Sequence, residues 1–155
     1  MQHNKHVRAV MVGCGSMSRA WLDAASKTPD LEIVSLVDVI EEAARKRAVE
    51  YHLDEAVIDT DLSSVLKRTS PDAVFNCTIP EAHTSVTLTA LEHGCHVLSE
   101  KPMADSLEHA RMIVEAAQKA EKLFAVIQNR RYDSGIRRIR AFLQSETIGP
   151  LTTIN

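Results

Sequence analysis

Gly13-Cys14-Gly15-Ser16-Met17-Ser18 sets two glycines and a small third residue at the spacing of a phosphate-binding turn. In such a turn the first glycine permits the reversal and the second lets backbone approach a pyrophosphate. The N–H groups of the helix that follows receive the charge. Ser16 and Met17 therefore join Gly13 and Gly15 as candidate cofactor-binding residues, and Ser18 replaces the usual third glycine while staying small enough for close helix packing. Asp38 stands 20 residues beyond Ser18. At the end of a second strand a carboxylate there accepts hydrogen bonds from adenosine ribose hydroxyls, and it reads equally as a cap for a helix near Glu41. Its charge repels a 2′-phosphate and Val39 and Ile40 offer no cation, so NAD is expected over NADP, with Arg45 the nearby cation that would have to reach one. S-adenosylmethionine enzymes carry a similar turn and acid, and stand as the alternative on these residues alone.

Further along, Asn76-Cys77-Thr78-Ile79-Pro80 with His83, and Ser99-Glu100-Lys101-Pro102, close two more apolar runs. In an open parallel sheet ligands lie outside the carboxyl ends of the strands, which places both segments on one crevice. Thr78 and Pro80 read as lining residues or as a turn, and His83 as a cofactor contact or a helix N-terminal residue. Glu100 and Lys101 read as a site or as a surface ion pair. An ammonium at Lys101, lowered in pKa by partial burial, would stabilise an alkoxide or relay a proton, and Pro102 restricts it, with a cis peptide bond allowed.

The elements that must position these residues alternate throughout. Val7–Val12 is an apolar run ending at glycine, as a buried parallel strand reads. A helix over residues 16–27, a strand over 31–37, a helix over 41–50, a weak strand at Val57 and Ile58 and a short helix over 62–68 follow. Then come a strand over 73–77, a helix over 81–93, a strand over 95–98, a helix with buried stripe Leu107, Ala110, Val114 and Ala117, a strand over 123–127, and a last helix marked by Ile136, Ile139 and Leu143. Asp105 and Glu108 have the spacing of a capping box for the fifth helix. Such alternation predicts a doubly wound, mostly parallel α/β sheet, Rossmann-like, with helices on both faces. Residues 1–150 are expected to form this dinucleotide domain. Leu151–Ile154 alternates like the opening of a new strand, so 151–155 are expected to begin a C-terminal substrate domain that the chain does not carry.

Composition sets the boundaries. The chain has 155 residues, 45% hydrophobic and 25% charged, enough for one ordinary domain. A net charge of −3 gives no electrostatic reason for a nucleic-acid partner, the Arg137, Arg138, Arg140 cluster notwithstanding. No apolar run approaches a membrane span and the first eight residues lack a signal core, so the cytosol is the default compartment. Cys14, Cys77 and Cys95 are odd in number and lack CxxC spacing, which points to reduced thiols. No metal site is expected, because strand alternation separates Cys95 from His96.

These phrases together make the chain resemble the glucose-fructose oxidoreductase, inositol dehydrogenase and MocA group. The resemblance is carried by GCGSMS, Asp38, Pro80 with His83, HGCHVLSEKPMA from His93 to Ala104, and NRRY from Asn129 to Tyr132 followed by IGPL. The Glu-Lys-Pro phrase argues against a methyltransferase. The resemblance implies that Lys101 lies beside the nicotinamide and reacting carbon as the catalytic group, that Glu100 touches cofactor, and that Asn129, with Arg131 behind it, lies near the crevice. It further implies an NAD(P)-dependent dehydrogenase acting on a hydroxyl of a sugar, cyclitol or related polyol. Substrate contacts, and any homo-oligomer surface, would belong to the domain after residue 150. A stand-alone nucleotide-binding module without catalysis is the alternative.

Overall fold

The computed structural model describes residues 6–145 together with 147 and 149. Six strands, β1 (Val7–Val12), β2 (Leu31–Val37), β3 (Val57–Asp59), β4 (Ala73–Asn76), β5 (His96–Ser99) and β6 (Phe124–Val126), form one sheet in the order β3-β2-β1-β4-β5-β6. Every pairing is parallel. The helices between them are α1 (Ser18–Ala25), α2 (Glu41–Glu50), α3 (Leu62–Thr69), α4 (Pro80–Glu92) and α5 (Leu107–Ala120), with α6 (Ser134–Gln144) after β6. Strand order reverses between β1 and β4. Crossovers there leave in opposite directions, so their carboxyl ends part and open a crevice.

The two faces of β1 show why the sheet is doubly covered. Val10 and Val12 point into one core layer with Val65 and Leu66 of α3 and Leu91 of α4, whereas Ala9 and Met11 point into the other with Trp21 and Leu22 of α1 and Ala44 and Ala48 of α2. That is a period of two read from both sides. The edge strands β3 and β6 are only half-buried.

Several local expectations shift. α1 begins at Ser18, because residues 15–17 are spent on the turn. Asp105 is not the cap of α5. Ser106 is, its hydroxyl accepting from the His109 N–H at 3.1 Å, while the Asp105 carboxylate bonds the His109 ring. The expected buried stripe is also corrected: Leu107 is 68% exposed and Val114 40%, and the covered line runs through Ala110, Ile113, Ala116 and Ala117. α6 forms, but Ile136, Ile139 and Phe142 stay about half exposed. The strand expected at Leu151–Ile154 lies outside the described residues. Among those residues, no helix is long and apolar enough to cross a membrane.

The corrected stripe is testable. Ile113→Ala should cost about 2–5 kcal/mol in chemical denaturation, because it opens a fully buried cavity, and Val114→Ala less than about 0.5 kcal/mol.

Candidate functional site

β1 ends in a turn that a side chain would block. Gly13 has φ +88°, and a Cβ there would lie 2.6 Å from the Cys77 carbonyl carbon and oxygen and 2.7 Å from the Thr78 nitrogen. Glycine is thus imposed by the protein's own packing where β1 passes β4. Gly15 differs. A Cβ there would meet nothing within 4 Å among the described residues. The N–H groups of Gly15, Ser16 and Met17 have no hydrogen-bond partner among the described residues, and all three residues are exposed.

Asp38 directly follows β2, half-buried against this turn. One carboxylate oxygen accepts from the Cys14 N–H at 2.7 Å and the other from the Ile40 N–H at 2.9 Å. The carboxylate is therefore fastened to the glycine turn, and the N-cap of α2 is Ile40, with no side-chain cap bond. Arg45 is engaged by Glu41 one turn earlier.

The other candidates fall into two groups. Asn76, fully buried, donates to the His83 carbonyl at 3.1 Å and accepts from the Thr78 hydroxyl at 2.6 Å. His83 is 1% exposed, and its Nδ1 and Nε2 face the Pro102 carbonyl at 2.7 Å and the Thr78 carbonyl at 3.1 Å. The ring ties the segment after β4 to the segment after β5. Pro80 is the first residue of α4, a position where its missing N–H costs nothing. Glu100 is buried, accepting from the Trp21 indole at 2.8 Å and from the Lys101 N–H at 3.2 Å. It braces α1 against the end of β5.

Lys101 projects from this brace and is exposed, so the expected partial burial is not found. Its bond to Pro102 is cis. Asn129 starts a short 3₁₀ turn after β6, exposed, its side chain accepting from the Arg130 N–H. Of the residues around the metal expectation, His93 bonds Thr89 and Ser63, His96 accepts from Leu123, and Cys95 is buried against Pro71.

Sequence reasoning missed an apolar rim at the same end of the sheet. Met17, Val39, Ile40 and Ile79 are 46%, 89%, 63% and 65% exposed around the turn, Asp38 and the end of β4. In the sequence Val39 and Ile40 offer no cation, and two apolar residues directly after the carboxylate are the available signal. A separate cavity of about 720 Å³ lies at the amino ends of β1 and β2. It holds Arg8, which pairs with Glu32 and the Thr69 carbonyl, and Arg68, which pairs with Asp59.

A family model described as an oxidoreductase family with an NAD-binding Rossmann fold matches residues 7–128. The chain belongs to that family. It is 34% identical over 145 residues to an inositol 2-dehydrogenase/D-chiro-inositol 3-dehydrogenase of Lacticaseibacillus casei, covering 92% of this chain and 42% of that protein. Among solved structures, an NAD-binding protein from Listeria innocua matches with TM-score 0.83 and 32% identity over 94% of this chain and 42% of that one. The WlbA dehydrogenase of Bordetella pertussis, crystallised with NADH and UDP-GlcNAcA, matches with TM-score 0.84 and 25% identity over 94% and 41%. The chain spans about two fifths of the length of these relatives. Together these matches establish the Gfo/Idh/MocA family and the Rossmann fold that the glycine turn and the Glu-Lys-Pro phrase imply.

The three thiols of this family member are unbonded and buried. Burial pushes the Cys14 thiol up to about 12, with Asp38 adding to the rise and Arg47 opposing it, and burial followed by Glu100 and Cys14 pushes Cys77 up further. Both stay protonated at neutral pH, so iodoacetamide should label them slowly in the folded chain and promptly in urea. The stability tied to the neutral Cys14 thiol is present below its ordinary value of 9.0 and is lost as pH rises toward about 12, so urea midpoints should fall across that interval.

Proposed function

We propose that this chain binds NAD across the carboxyl ends of β1, β2, β4 and β5, and that the whole protein is a dehydrogenase acting on a hydroxyl of a sugar, cyclitol or related polyol. The observation that carries the cofactor site is the contrast between the two glycines. Gly13 is required by the protein's packing, whereas a Cβ at Gly15 would meet nothing within 4 Å among the described residues. The open space at Gly15 and the three free N–H groups around it suit a pyrophosphate, with Ser16 and Met17 on its helix side. Asp38, anchored through Cys14, retains lone pairs for ribose hydroxyls. The rim formed by Met17, Val39, Ile40 and Ile79 suits an adenine ring. A 2′-phosphate would meet the Asp38 charge while Arg45 is held by Glu41, which favours NAD over NADP.

At the other end of the crevice Thr78, Pro80, Glu100 and Asn129 line or hold the nicotinamide region, and His83 acts through the two loops it ties. When bound, the nicotinamide supplies or accepts the hydride. Lys101 carries an exposed ammonium at the end of β5 and serves as general acid or base on the substrate oxygen, its backbone fixed by Glu100 below and by His83 through Pro102. Residues 1–150 form the cofactor domain in this reading. Substrate choice, and any homo-oligomer, belong to sequence of the kind the relatives carry beyond the matched length. A reducing, cytoplasmic setting suits three unbonded thiols.

Titrating NADH into the chain, followed by fluorescence or calorimetry, should give saturable binding that weakens at least about tenfold in Asp38→Ala. Gly15→Ala should weaken NADH comparably while leaving unfolding free energy within about 0.5 kcal/mol, and Gly13→Ala should lower stability by about 2 kcal/mol or more. No NADH binding by the unsubstituted chain would contradict the proposal.

A further inference from the structure

The glycine turn is held from behind by a buried cation. Arg47 of α2 is 6% exposed, and every nitrogen of its guanidinium is bonded. Nη2 donates to the Gly15 carbonyl at 3.0 Å, Nε donates to the Ser18 hydroxyl at 3.0 Å, and Nη1 pairs with Glu50 at 2.5 Å. Ser18 in turn donates to the same Gly15 carbonyl at 2.7 Å, and Glu50 also pairs with Arg19 at 3.0 Å. A buried charge is costly unless fully paired, and here the pairing converges on one carbonyl of the turn.

The peptide that carries this carbonyl explains the arrangement. A trans peptide is planar, so its C=O and the N–H of the next residue point in opposite directions. Drawing the Gly15 oxygen toward α2 therefore turns the Ser16 N–H away from α2, and that N–H has no partner among the described residues. A cation on the carbonyl also polarises the peptide, which strengthens the donor at its other end.

We propose that Arg47 is a positioning residue for the dinucleotide: through the Gly15 carbonyl and the Ser18 hydroxyl it aims and strengthens the Ser16 N–H as a donor to the pyrophosphate, an inference that rests on the turn being the pyrophosphate site. Ser18 takes part because it stands where the fingerprint usually has a third glycine, which carries no hydroxyl to bridge. Arg47 suits the role because its planar fork spans two acceptors and Glu50 at once, which the point charge of a lysine does not.

The test compares ADP-ribose, which has the pyrophosphate, with adenosine, which lacks it, as competitors of NADH. Arg47→Met should weaken ADP-ribose about tenfold and leave adenosine within about twofold, with Arg47→Lys between wild type and Arg47→Met on ADP-ribose. A merely structural role would move both ligands together, and that result, or ADP-ribose affinity within about twofold of wild type, overturns the proposal. If Arg47→Met does not fold, Ser18→Ala decides on the same pair of ligands: a selective loss for ADP-ribose of several-fold supports the proposal and no selective loss overturns it. Failure of the unsubstituted chain to bind NADH or ADP-ribose would instead overturn the reading of the turn itself, and the proposal with it.

Discussion

The backbone of β1 and the backbone of β4 touch where the strand order reverses, and Gly13 is the residue that lets them. With a Cβ position 2.6 Å from the Cys77 carbonyl, no other residue fits without moving one of the two central strands. Because Gly13 can turn there, the chain leaves β1 directly into the phosphate turn, and α1 starts within five residues. Asp38 then reaches the turn from β2 through the Cys14 N–H, and the segments after β4 and β5 close the other side. The turn, Asp38 and the segment after β4 are placed by reference to that contact.

Around it, polar side chains act as ties between elements far apart in sequence. His83 joins Thr78 to Pro102, Asn76 joins β4 to the start of α4, Glu100 joins β5 to Trp21 of α1, and Arg47 joins α2 to the turn. Each is buried, and each of these side chains meets at least two polar protein partners. Such satisfied networks give rigidity that an apolar contact of equal area does not, since a polar group left unpaired in the interior costs about 1–3 kcal/mol. The amides of residues 15–17 and the Lys101 ammonium, which have no hydrogen-bond partner among the described residues, are exposed on the crevice side. Rigidity behind and freedom in front is the arrangement a cofactor site requires.

Sequence patterns reached the central strands and the turn but not the ties. β1, β2 and α2 fall on the expected residues because strands buried over most of their length and a strongly punctuated helix leave signals within a few residues of each other. Asp38 was legible for the same reason: its distance from the turn is set by one strand-helix-strand unit. The stripe of α5 was not, since Leu107 and Val114 are as apolar as Ile113 and only the sheet's position decides which face is covered. The Ser106 cap was hidden by the neighbouring Asp105, which also has capping chemistry. The Trp21–Glu100 and Arg47–Gly15 bonds join positions 79 and 32 apart, and nothing local to either residue announces a partner.

The most direct test of the central claim is an amide ¹H–¹⁵N spectrum of the chain during titration with ADP-ribose. The expected result is that Gly15, Ser16 and Met17 shift most, followed by Asp38, Val39 and Ile40, while residues 51–56 at the amino ends of the strands stay still. Shifts centred on residues 51–56, or none up to millimolar ligand, would contradict the placement of the dinucleotide at the carboxyl ends of the sheet.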